Sequence, residues 1–146
     1  MFPEYFKGIP SEASADYREL VAFCNAHHTT VLAALPWIAA EIAGREGFDT
    51  LFRMQRRTGG RRLYVPQNKD KLQTRLGVDL AHSTLEALLK GSAPTYVVDL
   101  PSSWGIFTAI RRAAIQIAIK HHIDKDDILK DFGITQKALR AFQQKS

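Results

Sequence analysis

Two stretches of this chain favour a β-strand, and proline cuts each of them short. Arg61-Arg62-Leu63-Tyr64-Val65 follows Thr58-Gly59-Gly60 and stops at Pro66. Thr95 to Leu100, TYVVDL, follows Gly91-Ser92-Ala93-Pro94 and stops at Pro101. A glycine turn, a β-branched and aromatic run, then proline reads as a short strand. Proline cannot donate to a ladder, so each strand lies at an edge or ends there. A lone two-stranded ribbon is marginal in water and needs helices beneath it or a partner chain beside it. Residues 62–65 and 96–99 are therefore expected to be β and to pair within the chain, where linkage gives them a high effective concentration.

The rest of the chain has helical periodicity. The arm MFPEYFKGIP at 1–10 is broken by Pro3, Gly8 and Pro10, and its aromatics Phe2, Tyr5 and Phe6 suit docking. Ser11 to His27 reads as a helix, with Tyr17, Leu20, Val21 and Cys24 on one face. Thr29 or Thr30 is the expected cap of a helix to about Ala43, which Pro36 kinks or restarts. Phe48 to Arg57 reads as a third helix, and 69–76 as a short one. His82 or Ser83 opens another, to Lys90, before the loop Gly91–Pro94. Ser102 and Ser103 are capping candidates for a helix from Trp104 to His122. That helix is apolar nearly all round, with one polar stripe at Arg112, Gln116 and Lys120. Helix, glycine loop, strand and proline thus occur twice, at 48–66 and 83–101.

Residues 123–145, IDKDDILKDFGITQKALRAFQQK, read as two short helices joined at Gly133. Asp124 is the expected cap of the first, with Ile128, Leu129 and Phe132 as its apolar face. Gly133 can turn left-handed at no steric cost. Ile134 fills the angle, Thr135 caps the second helix, and Leu139 and Phe142 pin it to the core. Gln136, Lys137, Arg140, Gln143 and Lys145 are left outward. This is the pattern of a helix-turn-helix, whose second helix enters the DNA major groove. Amides and guanidinium groups suit base edges, and ammonium groups suit phosphates. The fold class expected is mostly α: a helical domain over 1–103 with a short two-stranded β ribbon, and a long helix with a C-terminal helix-turn-helix over 104–146.

Charge points the same way. The formal net charge is +5 over 146 residues, unevenly spread. Residues 53–75 hold eight basic side chains against Asp70 alone, net +7, and residues 111–146 come to +4, whereas residues 1–52 come to −4. Two basic blocks form an electrostatic footprint for phosphate. Arg61, Arg62 and Tyr64 on the first strand are candidate contacts to backbone or minor groove. Thr135, Gln136, Lys137, Arg140, Gln143 and Lys145, with Lys120, are the candidates at the C-terminus.

Other chemistry finds little support. With 45% hydrophobic and 24% charged residues, the composition is that of an ordinary globular domain. The longest apolar run, Val31 to Ala40, is too short to span a bilayer, and no signal-like segment is seen. Cys24 stands alone, which suits a buried hydrophobe in a reducing compartment. A cytoplasmic location is the expectation. The pairs His27-His28 and His121-His122 point apart on a helix and suit helix C-termini better than zinc. Carboxylates 124, 126, 127 and 131 lack the spacing of a calcium loop. No P-loop, GxSxG or HExxH is present. No catalytic constellation, metal site or cofactor is expected.

The order of the second strand, the Trp104 helix and the two C-terminal helices resembles the middle-operon regulator (Mor) transcription activator family of Mu-like phages. That family runs helix, glycine loop, a strand ending Tyr-Ile-Pro, long helix, helix-turn-helix. The resemblance covers about residues 80–146, including the spacing from Pro101 to Gly133. GGRRLYVP at 59–66 is similar to the family's loop and strand, and residues 48–66 read as a second, tailless copy. Gly91-Ser92-Ala93-Pro94 stands where the family favours Gly-Gly-Gln. The resemblance implies a sequence-specific regulator of phage or mobile-element type that binds double-stranded DNA, with RNA polymerase a candidate partner. Family members dimerise by pairing strands, so a homodimer is one implied assembly and a pseudo-dimer fused in one chain is another. The competing reading, from a different class, is a protein-binding module or phage-encoded inhibitor of a nucleic-acid-processing complex.

Overall fold

A computed structural model describes residues 9–144. The candidate contact Lys145 and the aromatics of the arm, Phe2, Tyr5 and Phe6, lie outside the described residues. In chain order the elements are α1 (Ala15–Ala26), α2 (His28–Ala34), α3 (Trp37–Glu46), α4 (Phe48–Thr58), β1 (Arg62–Tyr64), α5 (Lys69–Leu76), α6 (His82–Ser92), β2 (Val97–Asp99), α7 (Ser103–Lys120), α8 (Lys125–Phe132) and α9 (Gln136–Gln144). The protein is mostly helical, with one two-stranded antiparallel sheet among the described residues. No described helix is long and apolar enough to cross a membrane. The described residues form two compact units: a central stretch of sequence, Leu35–Ile106, and one made of the described residues up to Ala34 with those from Phe107 onward.

In the central unit α3 packs on α4 and α6, and α5 packs on α4 and α6. Ile38 and Ile42 of α3, Leu51, Phe52 and Met54 of α4, Leu72 and Leu76 of α5, and Leu85 and Leu88 of α6 are fully buried. Two helix starts are fixed by side-chain acceptors. Asn68 Oδ1 accepts the Asp70 and Lys71 amides at 2.8 and 3.2 Å, a standard N-cap. At α6 the acceptor comes from elsewhere: Glu46, at the end of α3, accepts the Ala81 amide at 2.9 Å and the Thr84 hydroxyl.

The ribbon forms within one chain, as expected. Arg62 pairs with Asp99, Leu63 with Val98 and Tyr64 with Val97. Each strand is one residue shorter than the sequence suggests. Val65 still donates to the Tyr96 carbonyl at 2.7 Å and Leu100 to the Arg61 carbonyl at 2.9 Å. Tyr96, however, sits at φ 58, outside strand geometry. Leu63 and Val98 face inward, while Arg62, Tyr64, Val97 and Asp99 face solvent.

Several boundaries differ from the sequence reading. The first helix starts at Ala15, where Ser14 accepts the Tyr17 amide at 3.1 Å. Thr29 and Thr30 lie inside α2 and do not cap it, because Val31 already bonds back to His27. Pro36 divides the expected Thr29–Ala43 helix into α2 and α3. Gly91 is helical rather than a loop residue. A Cβ there would collide with the Trp37 ring, so glycine permits close packing rather than a turn.

In the other unit the core is built from Tyr17, Leu20, Cys24, Val31, Ile110, Ala114, Ile115, Ile128, Phe132 and Leu139. The polar stripe of α7 behaves as expected at Arg112 and Lys120, which are exposed, while Gln116 is half-buried. α7 begins at Ser103, where Ser102 Oγ accepts the Gly105 amide at 3.1 Å. It ends in a Schellman turn. Ile123 donates to Ala118 and His122 to Ile119, both at 3.0 Å. His122 holds the left-handed position, at φ 56, which is costly for an L-residue and free for glycine. His122→Gly is therefore expected to stabilise the fold by about 0.5–1 kcal/mol. A urea midpoint equal to or below that of the wild type would refute this reading of the turn.

Candidate nucleic-acid interface

The C-terminal pair is built much as its residues dictate. Ile128 and Phe132 are buried, and Leu129 is half-buried. Gly133 takes φ 61, ψ 38 and donates to the Leu129 carbonyl. Nothing surrounds the position of an added Cβ there, so only backbone conformation demands glycine. Thr135 Oγ1 accepts the Ala138 amide at 3.1 Å and caps α9. Asp124 occupies the N-cap position of α8 without a side-chain bond, contrary to expectation. Asp126 and Asp127 instead place negative charge in the first turn.

Leu139 is buried, but Phe142 is only half-buried, against the expectation that both are interior. Phe142 lines a small recess of about 100 Å³ with Ala141 and with Arg112 and Gln116 of α7. On the outer side, Thr135, Gln136, Lys137, Arg140 and Gln143 are exposed. No ion pair occupies Lys137 or Arg140 among the described residues. α9 thus presents three amides, an ammonium and a guanidinium to solvent on one short helix.

One residue that joins this arrangement carries no sequence signal. Arg111, half-buried on α7, donates through its guanidinium to the Phe132 carbonyl. It satisfies an orphan acceptor at the end of α8 and ties that turn to the long helix. Its partner is a backbone oxygen 21 residues away, which no side-chain spacing announces.

The second basic block lies in the central unit. Arg61, Arg62 and Tyr64 are exposed, with Tyr64 at 58%. Arg62 pairs with Asp99 across the ribbon at 3.0 Å, in an ion pair roughly three-quarters exposed. Such a pair holds little energy and leaves the arginine free to exchange partners. Arg75 on α5, also unforeseen, donates to the Tyr64 carbonyl at 2.9 Å.

Cys24 is buried, and its thiol is pushed up to about 12 by desolvation. It stays protonated at neutral pH and has no nucleophilic character. Comparison of the chain with protein-family models, curated proteins and solved structures finds no match.

Proposed function

We propose that this protein is a sequence-specific DNA-binding regulator that inserts α9 into the major groove of duplex DNA. The observation that carries the reading is the α8–Gly133–α9 arrangement. Its inner residue Leu139 is buried, and its outer residues Gln136, Lys137, Arg140 and Gln143 are exposed. Arg140 and Gln136 read base edges. Lys137 and Lys120, with Thr135 at the helix start, hold phosphates, and Lys145 extends that set. Arg61, Arg62 and Tyr64 supply a second, backbone contact. The order of elements supports a Mor-like regulator of phage or mobile-element type, with RNA polymerase and a second copy as candidate partners.

A competing protein-binding role draws support from Trp104, 68% exposed, and Tyr64 beside Val97 on the open face of the ribbon. Phosphate contacts separate the two readings, because each releases counterions and steepens the salt dependence of DNA affinity. Replacing Arg61 and Arg62 together by alanine is expected to flatten the slope of log K against log salt by up to about two units. A wild-type slope in the double variant would remove the ribbon from the interface. Steep salt dependence and recovery of one motif from a random duplex pool support the DNA reading. Tight capture of a protein with no retention of duplex would replace it with the competing one.

A further inference from the structure

The central unit has a recess of about 200 Å³ between β1 and α5. Its walls carry three arginines, Arg61, Arg62 and Arg75, and no carboxylate. Its floor includes Leu63, Leu76 and Leu100, all buried. We propose that this recess is a phosphate-binding site, holding one phosphoryl group between the Arg61 and Arg75 guanidinium groups with Arg62 at its rim.

Three observations carry the assignment. First, three like charges gather around one hollow, which makes it attractive to an anion. The nearest carboxylate bonded to any of them is Asp99, which engages Arg62 on the exposed face of the ribbon. The Arg61 side chain has no partner among the described residues. Second, Arg75 is held in place by the Tyr64 carbonyl through Nη1 alone. A guanidinium has five N–H donors, so most remain for a ligand, already oriented. Third, the apolar floor lowers the local dielectric and strengthens attraction to an anion. Planar guanidinium groups match the oxygens of a phosphate in bidentate fashion. The volume is several times the ~30 Å³ share of one water molecule, enough for a tetrahedral oxyanion.

A phosphate monoester free in solution and a phosphodiester of a nucleic-acid strand offer the same chemistry. The second source rests on the DNA-binding reading, while the first does not. The test titrates the full chain with inorganic phosphate at constant ionic strength, using chloride as the balancing anion. The wild type and Lys71→Ala, an exposed change on the same helix, are expected to bind saturably in the millimolar range. Arg61→Ala and Arg75→Ala are expected to lose roughly ten-fold or more. Arg75→Gln keeps a donor for the Tyr64 carbonyl without the charge and guards against loss of folding. It is expected to behave like Arg75→Ala.

A duplex titration of the same variants identifies the source. A salt slope lower by about one unit in Arg75→Gln assigns the phosphate to the strand. An unchanged slope, with inorganic phosphate binding lost, assigns it to a free phosphate ester. Phosphate binding in a protein that retains no duplex would sink the DNA reading and leave this site standing. Absence of saturable binding in the wild type, or binding as tight as that of the wild type in both Arg61→Ala and Arg75→Gln, overturns the proposal.

Discussion

Arg140→Ala is expected to weaken binding to the preferred duplex by about 1–3 kcal/mol, roughly 5- to 150-fold, and to relax the choice of base at one position. The residue is exposed on α9 and has no ionic partner among the described residues, so the change breaks no ion pair of the fold. Stability should stay within about 0.5 kcal/mol of wild type, the usual range for a surface substitution. Lys137→Ala is the contrast. An ammonium on a phosphate carries no sequence information, so its loss weakens all duplexes alike and lowers the salt slope by about one unit. Competition binding with specific and random duplexes distinguishes the two patterns. Equal losses on both duplexes for Arg140→Ala would place that side chain on the backbone.

Leu139→Ala acts through the other face of the same helix. Leu139 is 1% exposed and is the buried residue by which α9 joins the core. Truncation removes transfer energy and leaves a cavity, at a cost of about 2–5 kcal/mol. In a domain stable by only about 5–15 kcal/mol, that is a large fraction of the whole. Phe142→Ala should cost less, because the ring is only half-buried. Urea midpoints at constant m-value measure both. A Leu139→Ala cost below about 1 kcal/mol, or a larger cost at Phe142, would contradict the packing described for α9.

The features legible in the sequence are those fixed by local chemistry. Gly133 turns because only its backbone geometry matters there, and Thr135 caps because its hydroxyl reaches an amide three residues on. The strands were readable because each β-prone run had a single candidate partner. What the sequence hid depends on distant atoms. Arg75 and Arg111 both bond to backbone carbonyls, of Tyr64 and Phe132, and a carbonyl leaves no mark in a residue pattern. Gly91 looks like a loop residue until the Trp37 ring is placed against it. Thr29 and Thr30 are good caps by type, but α1 and α2 follow each other so closely that neither threonine reaches a helix start. Phe142 is half-buried beside a recess that Arg112 and Gln116 of α7 also line, a neighbourhood that periodicity within α9 cannot report.

The proposed contact between α9 and duplex DNA is tested most directly by amide chemical-shift mapping of the full chain as a selected duplex is added. Shifts are expected to concentrate at residues 135–144, with a second group at residues 61–64 that fades in the Arg61→Ala, Arg62→Ala double variant. Shifts confined to other surfaces, with residues 135–144 unmoved at saturating duplex, would contradict it.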